Sequence, residues 1–403
     1  MTRYQLTEYE RADALDLGRE DALALQASPA VRVAPSLTAP GRFDLTAAQY
    51  VGVVRTRGCE LWIRPKLPIA RLLFLLGYTR DPKGWREDDP AFGEADSLVE
   101  ALVRAFVRHA ERALARGLLQ GYRSIEDAQP AIRGRIREAD QLRRRFALPL
   151  PVEVRYDDYT TDIVENQLLR TATRRLLWVP GVSGDSTRRL RRLLALTREV
   201  SDLPSAWMRP LVTRTRLNQR YFPAVRLAEL ALRATSPEFT PGAGQGIAFL
   251  FDMNKVFEDF ITAELGVALQ RHGGRVKAQH PRALDAAGQL TIKPDLTWWS
   301  QGRCLAVADV KYKSLADQRL PEDDIYQLLA YCTALRLPQG HLIYAHGDTE
   351  PATYVIGQAA TRIVVSTLDL HQPPGPLLAE LDRLATRMAS GHPHQASPMA
   401  TSA

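Results

Sequence analysis

Residues 290–313 read LTIKPDLTWWSQGRCLAVADVKYK, and the fold of the C-terminal part of the chain turns on them. Apolar and β-branched residues run up to Trp299, Ser300-Gln301-Gly302 interrupts the run, and a second apolar run begins at Cys304. That pattern predicts two neighbouring strands joined by a short polar turn. Asp295 follows a proline within the first predicted strand. Asp309 and Lys311 stand two apart in the second, so their side chains leave the same face of the sheet. Two carboxylates and an amine therefore converge. A hard cation such as Mg²⁺ is held by carboxylate oxygens and water, polarises a phosphodiester and lowers the pKa of a bound water, which makes Asp295 and Asp309 candidate metal ligands. Lys311 would orient the water or offset charge growing on the phosphate. The plainer alternative is a buried strand whose Asp and Lys merely pair at its exposed end.

The flanks extend the pattern. Downstream, EDDIYQLLAY places Gln327 and Tyr331 at i and i+4, on one face of a predicted helix. Upstream, NKVFEDFITAELGVALQ reads as an amphipathic helix carrying Glu258, followed by a short strand near VKAQH. A further strand, HLIYA, follows the second helix. This order of helix, strands, acidic hairpin, Gln-x-x-x-Tyr helix and strand resembles the PD-(D/E)xK nuclease superfamily, in its branch with a Gln-x-x-x-Tyr helix. Lysine usage points to the same stretch. The chain holds seven lysines and 46 arginines, yet Lys293, Lys311 and Lys313 all fall within this hairpin. A lysine kept where arginine is habitual suggests work for a compact, tunable amine, the alternative being chance clustering.

At 403 residues the chain has room for two or three domains, and 45% hydrophobic with 25% charged residues is ordinary globular composition. A net charge of +7 suits a polyanionic partner such as nucleic acid. Cys59, Cys304 and Cys332 have no CxxC spacing, which speaks against a disulfide framework, a zinc finger and a four-cysteine iron–sulfur cluster, and fits a reducing cytoplasm. The N-terminal residues have no apolar signal core and no run of 18 apolar residues occurs, so neither secretion nor a membrane span is expected. No lysine follows a glycine, so the chain has no GxxxxGK[ST] phosphate loop, and nucleotide hydrolysis would need another subunit.

In chain order, the expected organisation is α+β and multidomain. Residues 1–92 form a β-rich module, in which RFDLTAAQYVGVVRTRGCELWIRPKLP gives strands around an exposed basic tip, Arg55-Thr56-Arg57-Gly58. RLLFLLGYTR begins a short helix, and DPKGWREDDPAFGEAD reads as a linker. Residues 93–245 are expected to be mainly helical, with a stripe at Leu98, Leu102, Phe106, Ala110 and Leu114 that stops near Gly117. The arginine-rich segments 133–145 and 188–198 could touch DNA phosphates or could be solvated faces. Residues 246–386 form the α/β domain, a mixed sheet flanked by helices, and 387–403 an unstructured tail.

Read together, YVGVV, LWIRPKL, GLLQGYRSIEDAQPAIRGRI, YDDYTTDIVENQLLR, DMNKVFEDF, KPDL, DVKYK and DIYQLLAY resemble, in order, the McrC family of McrBC-type 5-methylcytosine restriction systems. The resemblance implies a cytoplasmic, Mg²⁺-dependent endonuclease subunit acting on double-stranded DNA with an AAA+ GTPase (McrB-like) hexamer. It further implies that the N-terminal part contacts and stimulates the hexamer. Carried over, Asp295, Asp309 and Lys311 match the catalytic triplet, with Glu258, Gln327 and Tyr331 as supports. Two other readings stay open: a nuclease-inactive GTPase-activating or bridging subunit, and a stand-alone repair exonuclease with the same core.

Overall fold

The computed structural model describes residues 1–78, 97–146, 148–204, 212–235, 246–285, 287–314, 320–346, 352–357 and 361–390. The predicted linker at 81–96 and the tail beyond 390 lie outside them. Among the described residues the chain is a mixed α/β assembly of several sheets and ten helices.

The N-terminal part holds β1 (Thr2–Thr7), β2 (Arg11–Leu15), α1 (Arg19–Gln26), β3 (Val31–Pro35), β4 (Phe43–Ala47), β5 (Tyr50–Arg55) and β6 (Cys59–Arg64). β2, β4 and β3 make one antiparallel sheet; β1 lies parallel to β6, and β6 antiparallel to β5. The β5–β6 hairpin is there, but its tip is not free. Asp21 of α1 accepts hydrogen bonds from Thr56 Oγ1 at 2.6 Å and from Gly58 N at 2.9 Å, and Thr56 is buried. Arg55 is neutralised by Glu60 at 2.6 Å, which leaves Arg57 as the cation that projects. A turn with unsatisfied backbone donors is a ready site for a carboxylate, and α1 supplies one.

The middle part holds α2 (Ile69–Tyr78), α3 (Leu98–Leu114), β7 (Gly121–Gln129), β8 (Arg135–Ile136), α4 (Glu138–Arg145), β9 (Val152–Thr160), α5 (Val164–Leu176), α6 (Gly184–Leu196) and α7 (Phe222–Ala234). The stripe on α3 is buried as its spacing predicts, Ser97 caps its start, and Gly117 follows its end at φ +82°. The mainly helical expectation missed the sheet β7-β9-β8. β7 carries polar residues on both faces and β9 alternates apolar with polar only over 152–156, too short a signal to mark the pair, and their pairing over nine residues holds them.

The C-terminal part holds β10 (Ile247–Asp252), α8 (Met253–Gln270), β11 (Arg275–Ala278), β12 (Arg282–Ala283), β13 (Thr291–Ile292), β14 (Leu296–Ser300), β15 (Arg303–Ser314), α9 (Glu322–Leu335), β16 (Gln339–His346), β17 (Ala352–Ile356), β18 (Thr361–Thr367) and α10 (Pro374–Ser390). Its mixed sheet runs β11-β14-β15-β16-β18-β17, with α8 and α10 on one face and α9 on the other. The boundary at 246 and the tail from 387 both shift. β10 completes the N-terminal sheet by pairing with β5, where Gly52 at φ +138° lets the Phe249 carbonyl approach. Residues 387–390 finish α10, with Met388 fully buried. One large core runs from Val51 and Trp62 through the helices to Phe257 and Trp298.

Candidate active site

The polar turn at 301–302 sets the site. Gln301 and Gly302 both adopt left-handed φ, 49° and 78°, the geometry of a two-residue hairpin turn. The hairpin then pairs Leu296 with Ala308, which sets Asp295 beside Asp309. Pro294 ends β13, so Asp295 sits in the break before β14 and not inside one continuous strand as the sequence suggested. Asp309 and Lys311 leave β15 on the face that α9 covers, as period-two geometry requires.

The predicted residues meet. Lys311 Nζ lies 2.7 Å from Asp309 Oδ2 and donates to Gln327 Oε1 at 2.9 Å. Gln327 Nε2 donates to the Tyr331 hydroxyl at 2.7 Å, and that hydroxyl donates to the Lys293 carbonyl at 3.4 Å. Gln327 and Tyr331 are thus one helical turn apart and act in series on the amine. The Val310 amide donates to Asp295 Oδ2 at 2.8 Å. Glu258, on α8, accepts a hydrogen bond from Gln279 Nε2 and lies 3.5 Å from Lys255 Nζ. Asp252 caps α8 by accepting from the Asn254 amide at 3.0 Å and so fixes where Glu258 begins its reach.

Electrostatics distinguish the three carboxyls from ordinary ion pairs. Burial, and next the charge of Asp309, push the Asp295 carboxyl up to about 6, against the pull of the Val310 amide and Lys311. Burial also raises Asp309, with Lys311 opposing. Glu258 is raised by burial and then by Asp295. Burial, followed by Asp309, lifts the Tyr331 hydroxyl to about 12, so it stays a donor. Lys311 beside Asp309, and Lys255 shared between Glu258 and Asp259, do not balance this much negative charge.

A divalent cation would. Among the described residues no group of three or more His, Cys, Asp or Glu forms a preassembled metal cage. Yet Asp309 Oδ2 is buried without a hydrogen-bond donor, Lys311 approaching it as an ion and not in hydrogen-bond alignment. Two buried carboxylates facing a single close amine fit a hard cation that keeps most of its ligands as water and substrate oxygen.

Two features of the site escaped the sequence reading. Gln279 has φ 44°; its backbone amide donates to the Asp295 backbone carbonyl at 3.0 Å while its side chain holds Glu258, so it ties the backbone of Asp295 to the Glu258 carboxylate. Nothing in a lone glutamine after a short strand marks it. Asp324, buried at the start of α9, binds Lys313 at 3.2 Å and accepts from the Tyr344 hydroxyl at 2.9 Å, which anchors the helix that carries Gln327 and gives Lys313 a structural partner.

Solved structures of similar fold exist. A refined half-complex from a tetradecameric assembly of Thermococcus gammatolerans McrB AAA+ hexamers with bound McrC contains a chain of similar fold, with TM-score 0.61 at 18% identity, covering 96% of this chain and 100% of that one. A chain of the cryo-EM structure of the Thermococcus gammatolerans McrBC complex gives TM-score 0.43 at 19% identity, covering 66% of this chain and 88% of that one. No curated protein matches. The family model described as McrBC 5-methylcytosine restriction system component matches residues 45–345, about three quarters of the chain, and the chain belongs to that family.

Proposed function

We propose that this chain is the DNA-cutting subunit of a McrBC-type restriction system, a PD-(D/E)xK-type phosphodiester hydrolase that needs Mg²⁺. The observation that carries the reading is the convergence of Asp295, Asp309 and Lys311 in one partly buried corner whose negative charge exceeds its positive charge. Asp295 and Asp309 would hold the cation, with Glu258 within electrostatic reach. When bound, the metal supplies Lewis-acid polarisation of the phosphate and a more acidic water. Lys311 offsets charge developing on the phosphate, and Gln327 with Tyr331 fixes where its amine points. The test is cleavage of double-stranded DNA by the assembled complex. Asp309→Ala should lose roughly 10²-fold or more in rate while keeping its fold, because it removes a charge the transition state depends on. Cutting at the wild-type rate would refute the assignment.

The partner belongs to the same proposal: an AAA+ GTPase hexamer like the McrB that binds McrC in the similar structure. The surface offered for it is the β7–β9 unit. α4 has no buried residue, and Leu142 and Phe146 are 65% and 86% exposed, beside exposed Ile132, Ile136, Leu148 and Leu150. So concentrated an apolar patch marks an interaction site. Four of the arginines around it are paired with acids, Arg137 with Glu126, Arg143 and Arg144 with Asp140, and Arg145 with Glu153. That favours protein docking over phosphate binding for segment 133–145. The setting is the cytoplasm, which suits three buried free cysteines.

A further inference from the structure

Many arginines among the described residues face a carboxylate, but two cations beside the candidate active site, Lys277 and Arg282, do not. Lys277 on β11 sits opposite Thr297 on β14, two residues from Asp295, and the same face of the sheet carries Trp299. Its ammonium lies 5.2 Å from the centre of the Trp299 ring, and the Arg282 guanidinium lies 4.7 Å from the same ring. Neither cation makes an ion pair among the described residues, and Arg282 Nε is buried with no hydrogen-bond partner. His280 lies between them in sequence, and burial and then the charges of Lys277 and Arg282 lower its pKa. β11 is the edge strand of the six-stranded sheet, so no further strand covers it. Two residues of strand span about 7 Å, the distance along β14 from Thr297, opposite Lys277, back to Asp295, which puts Lys277 on the approach to the carboxylates.

We propose that Lys277 and Arg282, both packed against the Trp299 ring, form the track on which the backbone of double-stranded DNA lies as it enters the Asp295–Asp309 corner. The indole keeps both long side chains extended, which lowers the ordering cost of gripping phosphates. The aromatic ring needs no base contact, so the track is indifferent to sequence. An anionic strand supplies the charge the two cations lack, and places its phosphodiester where the carboxylates act. This inference rests on the nuclease reading only for the identity of the ligand.

The test is anisotropy of a labelled DNA duplex with the full chain in EDTA, across a salt series, for wild type, Lys277→Gln/Arg282→Gln and Asp309→Asn. The double variant should bind at least about tenfold more weakly, with the slope of log K against log salt reduced by about 1.8, the value for two lost phosphate contacts. Its melting temperature should be unchanged, and Asp309→Asn should bind as well as wild type. In the wild type, the His280 ring should also titrate at higher pH with duplex bound. Wild-type affinity and slope in the double variant, or no duplex binding by the wild-type chain at low salt, overturns the proposal. Loss of binding in the double variant together with undiminished cutting by Asp309→Asn would keep the track and sink the nuclease assignment instead.

Discussion

Asp295 shows what holding a reactive site costs a folded chain. Its carboxyl is forced toward neutrality by burial and by Asp309, so ionising it at neutral pH works against the fold. Asp295→Asn keeps an oxygen for the Val310 amide and removes one of two crowded charges. It should abolish cutting yet raise the melting temperature at pH 8 by about 2 °C or more; differential scanning calorimetry without metal reads this, and a lower melting temperature would contradict the charge argument. The same pair must lose its protons to take a metal, so Mg²⁺ affinity measured by calorimetry should fall as pH drops through about 6 in the wild type. Gln327 acts one step away, through the Lys311 amine. Gln327→Ala should slow cutting by roughly tenfold, well short of Asp309→Ala, because it loosens an orientation and leaves every charge in place. An equal loss in both would make Gln327 a participant and not a support.

At the scale of elements, two contacts govern how the parts are joined. Glu264 of α8 is half-buried in the seam with α2 and α10, where Oε1 has no hydrogen-bond partner. The groups that face it are Asp382 and Tyr78, with Arg271 as the opposing cation. Burial, then Asp382, lifts its carboxyl from 4.5 to about 7. The folded chain therefore holds a proton there that the unfolded chain releases. Its stabilising contribution is complete below about 4.5 and is lost as pH rises through about 7. Urea midpoints measured from pH 5 to 8 should decline in the wild type and decline less in Glu264→Gln; parallel curves would clear Glu264 of the effect. Gly52 governs the other junction, between β5 and β10. A Cβ there would stand 1.9 Å from the Phe249 carbonyl oxygen, at a φ of +138° that side chains avoid. Gly52→Ala should cost about 2 kcal/mol or more in unfolding free energy, and a midpoint within error of wild type would mean the sheet yields more easily than its geometry suggests.

Across the whole molecule, the N-terminal sheet and the catalytic strand are one structure. Tyr312, between the two lysines of β15 but on the opposite face, donates to buried Glu8 at 3.0 Å, and the Met253 amide reaches the Gln49 carbonyl at 3.0 Å. Deleting residues 1–92 would strip β10 of its partner and orphan Tyr312, so a truncation cannot separate docking from folding. Surface changes can. Leu142→Asp/Phe146→Asp alters side chains that touch solvent and should keep the melting temperature while abolishing copurification with the AAA+ partner and the rise in its GTPase rate. Undiminished stimulation would return attention to Arg57 at the β5–β6 turn.

What the sequence determined by itself was the chemistry and its local geometry. Period-two spacing put Asp309 and Lys311 on one face, Ser300-Gln301-Gly302 made the turn that sets Asp295 beside Asp309, and helical spacing aligned Gln327 with Tyr331. These are short-range consequences of backbone geometry, and they survive any arrangement of the rest. The tertiary structure alone decided the long-range pairings: β10 joining β5, Asp21 sealing the 56–58 turn, Gln279 bridging Asp295 and Glu258, and the cation-flanked ring of Trp299. The β7 and β9 strands belong with these, since β7 is polar on both faces and β9 buries only its first residues, 152–154, so their pattern carries little signal and their mutual register makes them a sheet. Each depends on which distant residue arrives as partner, and that is settled by the packing of the whole chain and not by the residues adjacent in sequence.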